Sequence, residues 1–293
     1  MASQKISILT SKIDSFPVLP TVVGRVMEIT ANPDSAPKDL INLISPDQSL
    51  TTTILKMANS AYFGFTRKLS SLQQALTILG FTEIRNLVLA IAVFNSFKNL
   101  KKGSKFDIRK FWEHSFICGI AAKIIATELK RPGNEFFVAG LIHDIGKLII
   151  FTAMPDDFFK IIKASEPLIF NTYKAEKDIL GVTHDEIGMA LVKKWMFPEN
   201  LITAVGFHHR PAEAAKQSLF SFVVYVADLL AHLNEFENNE DKEPLLKEKD
   251  IYPKIIKLSQ SQNIELNESD LKRFQDELAK KKKEGAGALN LFL

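Results

Sequence analysis

Apolar residues recur at helical spacing along almost the whole chain, and no stretch shows the strict alternation of a half-buried strand. The pattern predicts an amphipathic helix with Thr21 as its N-cap, and a short helix that begins at Pro37. It also predicts a helix that ends at Gly80, because glycine is the usual residue after a helix C-terminus. The expected fold class is therefore all-α.

Breaks in the pattern divide the chain into three predicted parts. Residues 1–100 form a helical N-terminal subdomain, residues 101–235 form a helical bundle on which it packs, and residues 236–293 form a charged helical extension. A basic run at 98–105 contains Gly and Ser and predicts a solvated loop at the first boundary. An acidic, amide-rich stretch at 234–244 predicts an exposed loop at the second boundary.

Composition narrows the class of protein. The 293 residues are 46% hydrophobic and 24% charged, a globular balance, and the net charge of +3 gives no indication of a nucleic-acid partner. Cys118 is the only cysteine, which excludes an intrachain disulfide, and we expect it to be a small buried thiol. The longest apolar run, 87–94, is far shorter than the roughly 20 residues that span a bilayer. We expect a cytoplasmic protein with no membrane partner.

Two polar residues interrupt the most apolar part of the chain. His143 and Asp144 lie side by side within a predicted helix over 135–151 whose other residues are mostly apolar. Burial of an imidazole and a carboxylate is costly unless each finds a partner. That partner is either a hydrogen-bonding group or a metal ion.

Further histidines and aspartates lie on other predicted helices. The candidate ligands, in chain order, are His114, His143, Asp144, His184, His208, His209 and Asp228. Imidazole and carboxylate groups are ligands for zinc, iron or manganese. No His-Glu-x-x-His helix is present, and a single histidine in an apolar helix is more often a hydrogen-bonded core residue. The number of such residues together favours a metal site.

His184 occupies a position that favours the neutral imidazole. Thr183 and Glu186 have the spacing of a capping box, which places His184 in the first turn of a helix. The positive end of the helix dipole disfavours a protonated imidazole there, and a metal ion requires the neutral form. We therefore expect His184 to be available as a ligand.

Residues 14–235 resemble a known family. His143-Asp144-Ile145-Gly146-Lys147 is similar to the motif of the HD superfamily of metal-dependent phosphohydrolases, and the chain as a whole resembles the HDOD family of bacterial signalling output domains. The stretches that carry this resemblance are 16–20, 44–50, 55–64, 75–80, 111–115 and 195–198.

The resemblance implies both a fold and a site. HDOD proteins are all-helical, many have lost the HD metal ligands, and they usually serve as signalling or interaction modules. This chain is also similar to the HD-GYP cyclic-dinucleotide phosphodiesterases in the order of its ligands, which are the seven candidates given above. By that resemblance Asp144 would bridge two metal ions and Lys147 would lie near a substrate phosphate, which makes these two the implied catalytic residues. Arg210-Pro211 replaces the segment that names the HD-GYP family, and Lys110 stands where some trinuclear members have a glutamate.

Three functions are compatible with these observations. The first is an HDOD signalling protein with a mononuclear or binuclear site for iron, manganese or zinc, which binds a protein partner. The second is an active metal-dependent phosphohydrolase or phosphodiesterase that acts on a nucleotide or cyclic nucleotide. The third is a metal-free helical scaffold in which the histidines pair with carbonyls and aspartates. The resemblance favours the first and leaves catalysis undecided.

Overall fold

The computed structural model describes residues 2–16, 19–32, 34–60, 68–98, 100, 106–165, 172–216, 218–237 and 248–289. Within these ranges the secondary structure is helical and no strand occurs, which confirms the predicted all-α class. Residues 101–105 of the basic run and residues 238–244 of the acidic stretch lie outside them, as do positions 17, 18 and 61–64 of the motifs.

The helices follow one another in this order: α1 (Ala2–Ser15), α2 (Thr21–Ala31), α3 (Pro37–Ile44), α4 (Gln48–Ala58), α5 (Leu72–Phe97), α6 (Ile108–Glu128), α7 (Gly133–Ile142), α8 (Ile145–Ala153), α9 (Pro155–Ser165), α10 (Tyr173–Leu180), α11 (His184–Lys194), α12 (Glu199–Phe207), α13 (Ser218–Glu237), α14 (Glu248–Ser261) and α15 (Glu268–Leu289). A single 3-10 turn, Pro211–Glu213, precedes α13.

The chain divides into two compact units. One comprises Met1–Pro17 and His114–Leu278, and the other comprises Val18–Glu113 and Ala279–Leu293. These two units do not test the predicted boundaries at 100 and 235, so the three-part division stays a prediction.

Helix α1, which the apolar pattern did not predict, belongs to the first unit. It contacts α8, α10 and α11. Lys194, at the end of α11, donates hydrogen bonds to the backbone oxygens of Ile13 (2.8 Å) and Phe16 (2.9 Å). Carbonyl groups at a helix C-terminus lack the partner that the next turn would provide, and the lysine supplies a donor to them. Local sequence patterns do not predict this contact, because about 180 residues separate the partners.

The second unit is built around the apolar helix α5. Helices α2, α3 and α4 each pack against it. The Ser71 side chain caps α5 by accepting a hydrogen bond from the backbone N–H of Gln74. Gly80 has φ +82°, so the helical path is broken at the predicted position, and only glycine adopts this conformation without strain. Thr21 is the first residue of α2 rather than its N-cap, which is Pro20, because Pro20 has the extended backbone conformation.

Asn59 joins the end of α4 to the residues before α5. Its side chain accepts a hydrogen bond from the backbone N–H of Leu69 (2.6 Å) and donates to the backbone oxygens of Leu69 (2.7 Å) and Leu55 (2.8 Å). We expect Asn59→Ala to lower the free energy of unfolding by about 2 kcal/mol, because it leaves half-buried backbone groups without partners. Chemical denaturation measures this. Thr52→Ala, at an exposed position of α4, is the control, and an equal loss there would contradict the expectation.

The predicted continuous helix over 135–151 is wrong. Helix α7 ends at Ile142 and α8 begins at Ile145, with His143 and Asp144 between them. Asp144 has φ −93° and ψ 9°, outside the helical range, and it occupies the N-cap position of α8. The break therefore coincides with the two polar residues that interrupt the apolar run.

In the part of the chain that the structure describes, two segments, Leu72–Phe97 and Gly133–Ala153, are long and apolar enough to cross a membrane by length and composition. Their most apolar windows are 56% and 78% buried within the protein. Core helices of a soluble protein meet the same criterion, so these segments are weak evidence for a membrane span.

Candidate metal centre

Five segments of the first unit bring the predicted ligands together. His114 lies on α6, His143 and Asp144 lie between α7 and α8, and His184 begins α11. His208 and His209 follow α12, and Asp228 lies on α13. The imidazoles of His143, His184 and His208 are fully buried. All seven predicted ligands thus lie in two adjoining clusters, although their role as ligands stays a prediction.

The first cluster contains Asp144, His184, His208 and His209. The Nε2 atom of His184 is 3.1 Å from Asp144 Oδ1, 3.2 Å from His208 Nε2 and 3.0 Å from His209 Nε2. The distance from His208 Nε2 to the same Asp144 oxygen is 3.7 Å. Three imidazole nitrogens and one carboxylate oxygen therefore converge on one point.

The second cluster is centred on Asp228. Its Oδ1 atom is 3.0 Å from His114 Nε2 and 3.5 Å from His143 Nε2. Cys118 is buried, as expected, and its sulfur lies within 4.8 Å of ligand atoms of His143 and Asp228. Cys118 lies one helical turn after His114, so the sequence spacing already allowed a position beside the ligands.

Asp144 links the two clusters. Its Oδ1 atom faces His184 and His208, whereas its Oδ2 atom is 3.4 Å from His143 Nε2. Lys147, one helical turn later, donates to the same Oδ2 atom over 2.5 Å. A carboxylate with one oxygen directed to each cluster has the arrangement of a bridging ligand between two ions.

The residues present fit a divalent transition metal. Two ligands of one ion, each at about 2.0–2.1 Å from it, are themselves about 2.9–3.4 Å apart, depending on the angle between them. The distances in both clusters lie in or near that range. The buried side-chain atoms that make no hydrogen bond within the described ranges include His143 Nε2, Asp144 Oδ1 and Asp228 Oδ1. A metal ion would satisfy them.

Outer contacts aim the imidazoles at the centre. His143 Nδ1 donates to the backbone oxygen of Gly140, and His208 Nδ1 donates to that of Val205, each over 2.8 Å. Because a carbonyl oxygen can only accept, both rings carry a proton on Nδ1 and present Nε2 to the cluster. Metal-binding histidines are commonly held in this way.

Glu176 plays the corresponding role for His184. This buried carboxylate lies 2.7 Å from His184 Nδ1 and accepts a hydrogen bond from the backbone N–H of His184, also over 2.7 Å. Thr172 donates a further hydrogen bond to it over 2.5 Å. Glu176 was not among the predicted site residues, and its signal in the sequence is a glutamate on the buried face of a short helix.

The electrostatics of His184 differ from the expectation. Burial opposes protonation, but the carboxylate of Glu176 outweighs it and raises the pKa of His184 to about 9. The predicted preference for a neutral ring is wrong, because a full charge at hydrogen-bonding distance exceeds the partial charge of a helix terminus. Binding of a metal at Nε2 displaces a proton, so metal affinity falls as the pH is lowered.

Asp144 and His209 are in the protonation states that metal ligands require. Burial works against the charge of Asp144, but His143 and Lys147 hold its pKa well below the usual range, so this carboxylate is ionised. Burial, together with the neighbouring His208, holds the pKa of His209 well below its usual value, so this ring is neutral.

The accessible side of the centre is formed by basic groups. The side chain of Lys147 is 15% exposed and that of Arg210 is 26% exposed. Arg210 donates to Asp185 over 3.0 Å and to Glu213 over 3.1 Å. The Tyr173 ring packs edge-on against His209, 5.4 Å between centroids. Neither Arg210 nor Tyr173 was among the predicted site residues.

Glu176→Gln is expected to weaken metal binding by about 10–100-fold, because it removes the charge that orients His184 and increases its basicity. Titration of the metal-free protein with Zn²⁺ measures this. Glu186→Gln is the matched control: Glu186 lies on the same helix as His184 and accepts a hydrogen bond from the Thr183 backbone N–H. If both variants bound zinc as tightly as the unaltered protein, Glu176 would have no supporting role.

Comparison with known proteins identifies the family. The HDOD domain profile matches residues 16–211. This chain belongs to the HDOD family. An uncharacterized protein of Treponema pallidum is 26% identical over 214 residues, which cover 71% of this chain and 40% of that protein. The chain thus spans less than half the length of this curated relative.

Solved structures share the HDOD fold. An HDOD domain protein of unknown function from Geobacter sulfurreducens has a TM-score of 0.77 at 23% identity, with 99% of both chains covered. A candidate phosphohydrolase from Shewanella amazonensis has a TM-score of 0.76 at 24% identity, with 98% of both chains covered. At these identities the likeness shows the fold and not the activity.

Proposed function

We propose that this HDOD protein is a metal-dependent regulatory protein, whose His/Asp centre holds one or two ions of iron, manganese or zinc. The observation that carries the proposal is the position of Asp144, with one carboxylate oxygen directed to each imidazole cluster. A metal-free scaffold would leave these buried atoms poorly satisfied, which is costly.

The ligand set favours the borderline metals. Imidazole nitrogens suit zinc and iron, and the two carboxylates add affinity for manganese. Magnesium and calcium prefer sites made of oxygen ligands, and the first cluster offers three nitrogens for one oxygen. The centre therefore disfavours these two abundant cations.

The positions of the ligands along the chain support a regulatory role. They come from α6, the α7–α8 break, α11, the end of α12, and α13, so a bound ion would join segments far apart in sequence. Metal binding of this kind contributes directly to the stability of the fold. We infer that the metal-loaded form is the one that a signalling protein partner recognises, and a nucleotide ligand could add to this control.

Phosphoester hydrolysis is the second candidate. A bound divalent ion would supply Lewis acidity and a more acidic water molecule. Lys147 and Arg210 lie at the accessible side of the centre, where their positive charges suit a phosphate group. Asp144 holds the Lys147 ammonium in place through the 2.5 Å contact. A nucleotide or cyclic nucleotide is the corresponding substrate class.

Elemental analysis of the purified, folded protein tests the metal centre. We expect one to two equivalents of transition metal, and less than about 0.1 equivalent after reconstitution would refute the proposal, given the tight binding of such sites. Hydrolysis of nucleotides, cyclic dinucleotides and a generic phosphodiester by the loaded protein then separates the two candidates. Turnover that is lost in Lys147→Ala, with metal content retained, would favour the enzyme.

A further inference from the structure

His232 lies beside the second cluster, although the predicted site left it out. It follows Asp228 by one turn of α13, and its Nε2 atom is 3.3 Å from Asp228 Oδ1. The ring stacks on that of His114, with centroids 4.3 Å apart and an interplanar angle of 23°. The side chain is 12% exposed, the same fraction as that of Asp228.

Three imidazoles therefore face one carboxylate oxygen. Asp228 Oδ1 is 3.0 Å from His114 Nε2, 3.3 Å from His232 Nε2 and 3.5 Å from His143 Nε2. These distances resemble those between ligands that share one ion at about 2.0–2.1 Å. The ligand atoms of His114, His232 and Asp228 all lie within 4.8 Å of one another.

A simple ion pair between His232 and Asp228 is the alternative explanation. Residues four apart on a helix often pair in this way. Such a pair would account for only one of the three Nε2 atoms that face this oxygen. A cation shared by the three rings and the carboxylate would account for all of them.

We propose that His232 is a further metal ligand, which binds the ion of the second cluster together with His114 and Asp228. The inference rests on the proposed metal centre and extends its ligand set by one residue. A further protein ligand leaves fewer coordination positions for water or substrate, which is characteristic of structural metal sites.

Titration of metal-free protein with Co²⁺ tests this inference, because the visible absorption of cobalt reports the number and kind of its ligands. The informative variant is His232→Phe, which keeps a ring against His114 and removes the nitrogen. We expect one of two cobalt ions to bind at least about tenfold more weakly, with an altered spectrum, while the other ion binds as before. Thermal unfolding in the presence of a chelator checks that the fold of His232→Phe is intact. If the phenylalanine prevents folding, His232→Gln is used in its place.

The outcomes distinguish this inference from the proposal on which it rests. If the unaltered protein binds no cobalt, the metal centre and the ligand role of His232 both fail. If it binds cobalt and His232→Phe binds the same number of ions with unchanged affinity and spectrum, only the role of His232 fails. Tighter binding by the variant would show that His232 is a cation that competes with the metal, and would also overturn the inference.

Discussion

Asp144→Ala is expected to abolish stable metal binding at both clusters. The unaltered protein should retain one to two equivalents of transition metal after desalting, and the variant less than about 0.1 equivalent, because the shared carboxylate is lost from both ligand sets. The loss of bound metal should exceed the loss caused by replacing a histidine that faces only one cluster. Elemental analysis of the two desalted proteins measures it.

Two further variants make the result specific. Asp144→Asn keeps the shape of the side chain and removes its charge, which covers the case in which alanine leaves the Lys147 ammonium unpaired and prevents folding. Asp157→Ala is the control, because this aspartate of the same unit pairs with Lys5 (2.8 Å) and Lys160 (2.8 Å), not with the proposed ligands. Normal metal content in Asp144→Ala would remove the main support for a binuclear centre.

Gly146→Ala is expected to destabilise the first unit by about 3 kcal/mol or more, since it overpacks a contact between two backbones. A Cβ atom at this position would overlap the backbone oxygen of His184 and lie 2.8 Å from the backbone nitrogen of Gly188. Neither atom belongs to a flexible side chain that could move away. Because α8 carries Asp144 at its start and α11 begins at His184, separating these helices should also weaken metal binding.

Gly24→Ala is the matched control for this prediction. No atom lies within 4 Å of a Cβ built at Gly24, which is inside helix α2. We expect this change to leave metal content unaltered and to raise the stability by about 0.5–1 kcal/mol, because alanine favours the helix. Denaturant unfolding with and without chelator measures both variants. Equal stability of Gly146→Ala and the unaltered protein would show that the two helices can separate freely.

Most of the fold could be predicted from local patterns. Helical spacing of apolar residues predicts the all-α class, and the Gly80 break follows from backbone conformation alone. The continuous helix over 135–151 could not be corrected locally, because two polar residues within an apolar run do not by themselves distinguish a helix break from polar positions inside one helix. Helix α1 was missed because its place depends on distant partners such as Lys194.

The sequence by itself determined the helical class, the family and the chemical identity of seven candidate ligands, because these depend on residue type, spacing and order. Only the tertiary structure decided which ligands share a cluster, and that the two oxygens of Asp144 face different clusters. It also added His232 and Glu176, which lie among the ligands through contacts between helices. The charge of His184 depends on that same packing. The buried carboxylate of Glu176, eight residues away, affects the pKa of the His184 ring more strongly than does the dipole of the helix that begins at His184.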